Sequence, residues 1–315
     1  MLNSRRSFLR GAAVAAGGVL AHRYGPAFAV DAFQAPTLET MRAQMGATPI
    51  QTQKLGDRLT LLYGPGGNVV VLPGPMGKIL VDGFVQPAWD RLKALLDGID
   101  STPIKTLIDT HWHFDHADNN ANFKAAGVGV IAHENTSTRL SEPHDLLGMH
   151  FDPSPRAAQP TQTFPVKLNL QGNGETMVLS HVAPAHTDTD IFVHFQNSDV
   201  LHMGDVFFNG FYPFIDASTG GNIDGMIAGA ESGLKIVSAK TQIVPGHGPL
   251  GHKGTLEAYV HMLTTIRDNV QKEKKAGRTL AETQATKPSS EFDAMWGKGR
   301  MTPDDFVALV YNTLR

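Results

Sequence analysis

The stretch THWHFDHADNN, residues 110–120, sets histidines and aspartates directly after the apolar run IKTLID. That run has the length and composition of a buried strand. Alternate side chains of an extended segment share a face, so His111 and His113 point the same way, and a turn after them swings Asp115 and His116 toward the same space. The chain must therefore fold so that a buried strand ends at a cluster of imidazoles and carboxylates.

Imidazoles and carboxylates at this spacing are metal ligands. Two neutral imidazoles on one ion, and a carboxylate with an imidazole on a second, suit borderline divalent metals such as zinc. The alternative is a histidine-rich surface loop, but the density of ligand types at a strand end favours two metal half-sites. Further ligand candidates follow three other predicted strands: His186 in PAHTDTD, Asp205 in HMGDVFF and His247 in IVPGHG. Strand ends converge at one edge of a sheet, where α/β folds place their chemistry.

Strand and helix signals alternate along the chain. RLTLLYG, NVVVLPG and KILVDGF are short apolar runs separated by Gly-Pro turns, which predicts hairpins. Leucines recur at helical spacing over Trp89–Ile99, and a second series of strands encloses a helix predicted from Ile223 to Lys235. The alternation predicts a layered α/β sandwich. Residues 152–171, rich in Pro, Gln and Thr, are expected to form an irregular excursion over the sheet.

Two segments resemble each other. GNVVVLPGPMGKILVDG at 67–83 and DIFVHFQNSDVLHMGD at 190–205 are both predicted hairpins that end in an apolar strand and an aspartate. The similarity is consistent with two related halves and equally with coincidence.

The first 29 residues are predicted to be a cleaved export signal. They combine a basic start, a mild apolar stretch and the small-x-small sequence Ala27-Phe28-Ala29. SRRSFLR resembles the twin-arginine signal, and the apolar stretch is too short and too glycine-rich to span a membrane stably. The alternative is a first helix of the fold. We expect a periplasmic or secreted protein with no membrane anchor after cleavage, and a linker with one short helix over 30–54.

Charge and cysteine content narrow the choice of partners. Without the signal the chain keeps 23 basic against 30 acidic residues, a formal net charge of −7. An acidic chain has no electrostatic footprint for a polyanion, so the expected partner is a small-molecule substrate and no nucleic acid. There is no cysteine, so core packing and metal must stabilise the fold without disulfides. The oligomeric state stays open.

HWHFDH, HTDTD, GDVFF and PGHG, in that order, resemble the metallo-β-lactamase superfamily. The resemblance runs over roughly residues 55–263. It implies a four-layer αββα sandwich with the site at one edge of paired sheets. We therefore expect this fold over 55–278, followed by a C-terminal helical extension over 279–315.

The resemblance also assigns ligands. It implies that one metal ion is held by His111, His113 and His186. It implies that a second is held by Asp115, His116 and His247. Asp205 would bridge the two ions. Asp82, in KILVDG, would hydrogen-bond to one of the metal ligands without contacting the metal itself. Two divalent ions are expected, zinc first, with iron or manganese as alternatives.

The chemistry implied is hydrolysis of an ester, lactone or amide, with a β-lactam-like bond included, by a hydroxide that bridges the metals. Asp115 is the expected catalytic residue, which orients the nucleophile and moves its proton. Metallo-β-lactamases proper typically have cysteine or serine where this chain has Asp205, so β-lactam hydrolysis stays open. A serine enzyme is disfavoured because no G-x-S-x-G occurs. The alternatives are a phosphodiesterase, an iron-dependent oxidoreductase and a non-catalytic metal-binding protein.

Substrate contacts are expected from the aromatic residues near the ligands. We expect FFNGFYPF, just after Asp205, to line the pocket, and Trp112, Asn209 and Tyr212 to contact substrate. The phenylalanines of that segment are expected to pack in the core. Outside the ligands, His181, His194 and His202 lie in apolar runs and are expected to be packed strand residues.

Overall fold

The computed structural model describes residues 37–314, and the predicted export signal at 1–29 lies outside them. The strands are Gln51–Leu55 (β1), Leu59–Gly64 (β2), Gly66–Leu72 (β3), Lys78–Val81 (β4), Ile104–Ile108 (β5), Gly129–His133 (β6), His144–Leu146 (β7), Met149–Phe151 (β8), Gln162–Phe164 (β9), Lys167–Gly172 (β10), Glu175–His181 (β11), Ile191–Phe195 (β12), Val200–His202 (β13) and Gln242–Val244 (β14). The helices are Leu38–Gly46 (α1), Trp89–Ile99 (α2), Phe114–Ala117 (α3), Asn120–Ala125 (α4), Glu134–Leu140 (α5), Ile223–Ile236 (α6), Lys253–Lys275 (α7), Leu280–Ala285 (α8), Asp293–Trp296 (α9) and Pro303–Thr313 (α10).

Most of the strands form two mixed sheets. The first has the order β1-β2-β3-β4-β5-β6-β9, and the second has the order β10-β11-β12-β13-β14. Pairing is antiparallel from β1 to β4 and parallel from β4 to β9. In the second sheet it is antiparallel from β10 to β13, and β14 joins in parallel. Strands β7 and β8 form a separate hairpin.

Side-chain alternation along the strands creates the layers. In β3, Val70 and Leu72 pack between the two sheets, whereas Val69 and Val71 pack on the other face, in the cluster that contains Leu92 of α2. The outer face of the second sheet is covered by α6, α7 and α10, which share one core. The order is helix, sheet, sheet, helix. The predicted four-layer αββα sandwich is confirmed.

The prediction for residues 152–171 is wrong in its second half. Gln162–Phe164 is the edge strand of the first sheet, and Lys167–Gly172 is the edge strand of the second. In β10 exposed positions alternate with half-buried ones until Gly172. An edge strand with a solvent face tolerates polar residues, so the apolar pattern that marks an interior strand is missing.

The two similar hairpins occupy equivalent places in the two sheets. β3 and β4 pair antiparallel, and α2 then leads to β5, which is parallel to β4. β12 and β13 also pair antiparallel, and α6 leads to β14, which is parallel to β13. Asp82 follows β4 and Asp205 follows β13. Both aspartates therefore lie where a hairpin strand ends.

The C-terminal helices pack on α7. Thr279 and Glu282 form the capping box of α8, with the Thr279 N–H donating to the Glu282 carboxylate at 2.8 Å. Trp296, Phe306 and Val310 are buried in the core that also contains α7 residues. No helix among residues 37–314 is long and apolar enough to cross a membrane.

Candidate metal centre

The ligand candidates meet where strands of both sheets end. His111, His113, Asp115 and His116 follow β5, and the remaining three lie in the β11–β12 loop, after β13 and after β14. The structure brings all seven together in two groups, within each of which the potential ligand atoms lie within 4.8 Å of one another. The first group is His111, His113, His186 and Asp205. The second group is Asp115, His116 and His247.

The carboxylate of Asp205 faces both groups. Its Oδ2 lies 3.5 Å from Nε2 of His186 in the first group and 3.4 Å from Nε2 of His247 in the second. Its Oδ1 lies 3.2 Å from Nε2 of His116. A 3-10 turn at Gly204–Val206 presents this side chain. Asp205 therefore lies between the two groups, where its carboxylate could serve an ion in either one.

The donor atoms fit divalent cations. Nε2 of His111 and Oδ1 of Asp205 are buried, and neither has a hydrogen-bond partner within residues 37–314. Nδ1 of His113 lies 2.9 Å from Nε2 of His186, so two imidazole nitrogens face each other. Unpaired buried polar atoms cost free energy, and lone pairs that converge from nitrogen and oxygen are what zinc-type ions bind. These residues therefore have the composition and spacing of a metal site.

Asp82 orients His116. Its carboxylate lies 2.7 Å from Nδ1 of His116 and accepts hydrogen bonds from the N–H and the hydroxyl of Thr110, each at 2.8 Å. A proton held on Nδ1 leaves the Nε2 lone pair free to face the cluster. The backbone of Asp82 has φ of 65°, a left-handed conformation that directs the carboxylate under the ligand loop. Asp82 was expected to support one of the ligands, and the structure places it against His116.

Two other orienting groups were missed by the sequence interpretation. Oδ2 of Asp216 lies 3.2 Å from Nε2 of His113, which turns Nδ1 of that ring toward the cluster. The carbonyl of Phe214 lies 2.9 Å from Nδ1 of His186. Asp216 also caps the short 3-10 turn that follows it, where it accepts from the N–H of Ser218 at 3.0 Å. Nothing in the sequence connects it with a histidine 103 positions away.

Glycines let the backbone approach the cluster. A Cβ at Gly67 in β3 would overlap the imidazole of His116, and a Cβ at Gly246 would overlap the carboxylate of Asp205. Asn68 then ties β3 to the turn that carries His247, because its amide donates to the carbonyls of Pro245 and Gly248, each at 2.9 Å. The GPGGN segment is therefore part of the wall of the site.

The electrostatics of the cluster differ between its two groups. Burial lowers the pKa of His186 to about 4, which keeps its ring neutral and its lone pair available. Burial raises the pKa of Asp115, but His116 and His247 outweigh it and lower the value to about 2. Burial lowers the pKa of His247, but Asp205 and Asp115 raise it to about 9. A cation held by the second group would therefore compete with a proton for His247.

The site opens on the side of its second group. The side chains of His247 and Asp115 are 22% and 13% exposed, whereas that of His111 is 0% exposed. A cleft of about 410 Å³ adjoins His247, and Tyr63 and Leu250 are among the residues that line it. The cleft therefore adjoins the more exposed of the two ligand groups.

The structure brings none of Trp112, Asn209 and Tyr212 into the lining of that cleft. Trp112 is buried in a cluster with Phe151 and Leu140. Asn209 donates its amide hydrogen to the Pro249 carbonyl at 2.8 Å. Tyr212 stacks on Phe306 and donates to the Asp293 carboxylate at 2.7 Å, so its side chain packs against α10. His202 is packed as expected, 3.1 Å from the carbonyl of Asn68.

Comparison with known proteins identifies the family. Residues 62–266 match the sequence profile of the Metallo-beta-lactamase superfamily. The alpha subunit of 2,4-dinitroanisole O-demethylase from Nocardioides sp. (strain JS1661) is 27% identical over 143 residues, which cover 45% of this chain and only 41% of that protein. The metallo-beta-lactamase from Pontibacter korlensis is 16% identical, with a TM-score of 0.56 over 69% of this chain and 99% of its own. Metallo-beta-lactamase IND-7 is 19% identical, with a TM-score of 0.58 over 69% of this chain and 98% of its own. These structures share the fold, and because the profile covers more than half of the sequence, the chain belongs to the metallo-beta-lactamase superfamily.

Proposed function

We propose that the chain is a hydrolase with two divalent metal ions that cleaves an ester, lactone or amide bond. The observation that carries the proposal is the carboxylate of Asp205, which faces both ligand groups at 3.2 to 3.5 Å. A shared carboxylate holds two ions close enough to act on one bond. Five imidazoles and two carboxylates favour zinc over harder cations, which prefer all-oxygen sites.

The catalytic roles follow from the positions of the side chains. Two ions held by these residues would lower the pKa of a bound water and would polarise a carbonyl oxygen. Asp115 lies at the open side of the cluster, 3.1 Å from Nε2 of His247, where it can orient that water and take its proton. Asp82 and Asp216 keep His116 and His113 aimed at the ions.

Elemental analysis of protein purified without added metal tests the metal centre. We expect about two equivalents of zinc per chain, falling in Asp205→Asn because one ligand serves both ions. Asp199→Asn is the matched control, since Asp199 accepts a hydrogen bond from Thr241 at 2.6 Å and is not one of the clustered residues. Folded protein without metal contradicts the proposal. Metal without turnover of esters, lactones or amides favours the non-catalytic alternative.

A second candidate is the cleavage of an aryl methyl ether, which the printed name of the Nocardioides relative favours. Hydrolysis of such an ether consumes water and releases methanol. Oxidative demethylation consumes dioxygen and two electrons and releases formaldehyde and water. Incubation with 2,4-dinitroanisole, with and without dioxygen and a reductant, separates these reactions by their one-carbon product. If the purified protein contains iron and the product is formaldehyde, the hydrolase proposal is wrong and oxidative demethylation takes its place.

We also propose that the chain is exported through a twin-arginine signal and acts on a small molecule outside the cytoplasm. The proposal is supported by Arg5-Arg6 before an apolar stretch and by Ala27-Phe28-Ala29. Replacing both arginines by lysine should trap the full-length chain in the cytoplasm, as measured by cell fractionation. Unchanged export contradicts the proposed route.

A further inference from the structure

Apart from His247, the cleft has no cationic side chain in its lining. It is formed by β1, β2, the start of β3 and the loop after β14, and its lining includes Gln53, Tyr63, Asn68, His247, Pro249 and Leu250. No lysine, arginine, aspartate or glutamate belongs to that lining. The volume of about 410 Å³ is sufficient for a small aromatic molecule. A carboxylate or phosphate in the part of the cleft away from His247 would have no cationic side chain beside it.

The apolar surface of the cleft continues the core. Tyr63 and Leu250 are half-buried and pack against the core between the two sheets. The alternation of β1 places Gln53, which pairs with Leu61, on this same inner face of the first sheet. Thr52 pairs with Leu62, which packs in the outer cluster instead. The Gln53 side chain therefore faces the cleft, whereas the Thr52 side chain lies on the opposite face of β1.

The cleft offers two free polar groups at its wall. Within residues 37–314, neither the Tyr63 hydroxyl nor the Gln53 amide bonds to another side chain or to the backbone. Asn68, in contrast, uses its amide hydrogens on Pro245 and Gly248. Neutral hydrogen-bonding groups recognise an uncharged polar group, whereas an unpaired ion in such surroundings loses hydration without compensation.

We propose that this cleft selects neutral substrates, with an aryl or short alkyl group held between Tyr63 and Leu250 and a neutral polar group beside Gln53. The proposal rests on the proposed hydrolytic function and names its substrate class. It excludes anionic esters, carboxylate-bearing β-lactams and phosphodiesters as preferred substrates. Gln53 and Leu250 are specificity-determining residues in this assignment.

The test compares two para-nitrophenyl benzoates that carry either an acetyl group or a carboxylate at the para position. They share a leaving group and a rigid acyl part, and rates are corrected for spontaneous hydrolysis. The metal-loaded wild type should prefer the neutral ester by roughly tenfold or more in kcat/KM, as expected for a charge left unpaired. Equal kcat/KM for the two esters overturns the proposal.

Charge variants distinguish the effect of the cleft lining on substrate preference from the general attraction between anions and the metal ions. Gln53→Lys should narrow the preference for the neutral ester by about tenfold, because the new ammonium pairs with the carboxylate. Thr52→Lys is the matched control, which adds the same charge to the opposite, exposed face of β1. An equal change in both variants, or none in Gln53→Lys, overturns the proposal.

A binding measurement keeps this inference independent of turnover. Benzylacetone, a neutral aryl ketone, should show line broadening in its NMR spectrum with the wild type and less with Leu250→Ala. If neither ester is hydrolysed but the ketone binds through Leu250, the hydrolase proposal fails and the neutral cleft stands. If the ketone does not bind, the cleft assignment fails whatever the esterase activity.

Discussion

At the residue scale, the ligand cluster depends on groups that lie outside it. Gly67 makes room for His116, and Asp216 and the Phe214 carbonyl turn His113 and His186 toward the cluster. Such outer partners fix the tautomer and the direction of an imidazole lone pair. Their contribution is measurable as metal affinity rather than as fold stability alone.

Gly67→Ala should weaken the second ligand group selectively. The added methyl overlaps the His116 ring, which has 0% exposed side chain and nowhere to move. We expect metal affinity at that group to fall by about tenfold or more while the first group keeps its ion. Titration against a competing chelator measures both. Gly98→Ala, where a Cβ meets nothing within 4 Å, is the control and should behave as wild type.

Asp216→Asn should weaken the first group. In Asp216 one carboxylate oxygen faces His113 and Thr219, and the other accepts from the backbone N–H and the hydroxyl of Ser218. An amide has only one oxygen, so it loses either the His113 contact or the two hydrogen bonds from Ser218. We expect about 10- to 100-fold lower metal affinity, in the range known for such outer partners. Ser218→Ala keeps the Asp216 carboxylate beside His113 and should have a much smaller effect. Wild-type affinity in Asp216→Asn would show that His113 is oriented by packing alone.

At the scale of elements, a stacked pair of histidines joins the two sheets near the site. His133 ends β6 and His181 ends β11, and their rings lie 3.7 Å apart and nearly parallel. Nδ1 of His133 accepts from the N–H of Asn135 at 3.2 Å, so its proton is on Nε2, 2.8 Å from the Pro165 carbonyl. A second proton on His133 would oppose the N–H that it caps.

This pair predicts a loss of stability in acid. Burial lowers the pKa of His133, so the unfolded chain binds a proton more readily than the folded one. Stability is therefore present above the ordinary histidine pKa and is lost as the pH falls below it. His133→Gln should show a smaller decrease in melting temperature between pH 7.5 and pH 5.5 than the wild type, whereas His261→Gln on α7 should match the wild type. An identical pH dependence in His133→Gln contradicts the assignment.

At the scale of the whole molecule, the C-terminal segment belongs to the outer helical layer. Trp296 is 4% exposed and Phe306 is 0% exposed in the core shared with α6 and α7. The backbone N–H of Tyr212 donates to the Trp296 carbonyl at 2.9 Å, which connects this segment to the loop after Asp205. Residues 279–314 therefore complete the helical layer on the second sheet.

Trp296→Ala should destabilise the protein by about 3 to 5 kcal/mol, the range for truncating a large buried aromatic side chain. Met295→Ala, which removes a side chain at a position that is 66% exposed, is the neighbouring control and should change the free energy of unfolding by less than about 0.5 kcal/mol. Chemical denaturation measures both. Equal stabilities would mean that the extension is not part of the cooperative unit.

Local sequence patterns predicted the elements well where one face is buried. Alternation in β3 and helical spacing in α2 follow directly from which side chains leave water. The edge strands β9 and β10 and the β7–β8 hairpin were not predicted, because their polar composition hides the pattern. A similar limit explains why Asn209 and Tyr212, which were expected to contact substrate, lie outside the lining of the cleft. Their nearness to Asp205 in the sequence does not determine the direction of their side chains.

The sequence by itself determined the layered architecture, the strand ends and the residue types at the metal centre, because those depend on period, turns and ligand chemistry within a few positions. Only the tertiary structure decided that Asp216 lies against His113, and that Gln53, Tyr63 and Leu250 line one cleft. It also placed Asp205 close to the ligand atoms of the first group, where the resemblance had implied a carboxylate between two ions. Those contacts join residues from different sheets and loops. They arise from the stacking of two sheets, and no local pattern along the chain encodes the resulting distances.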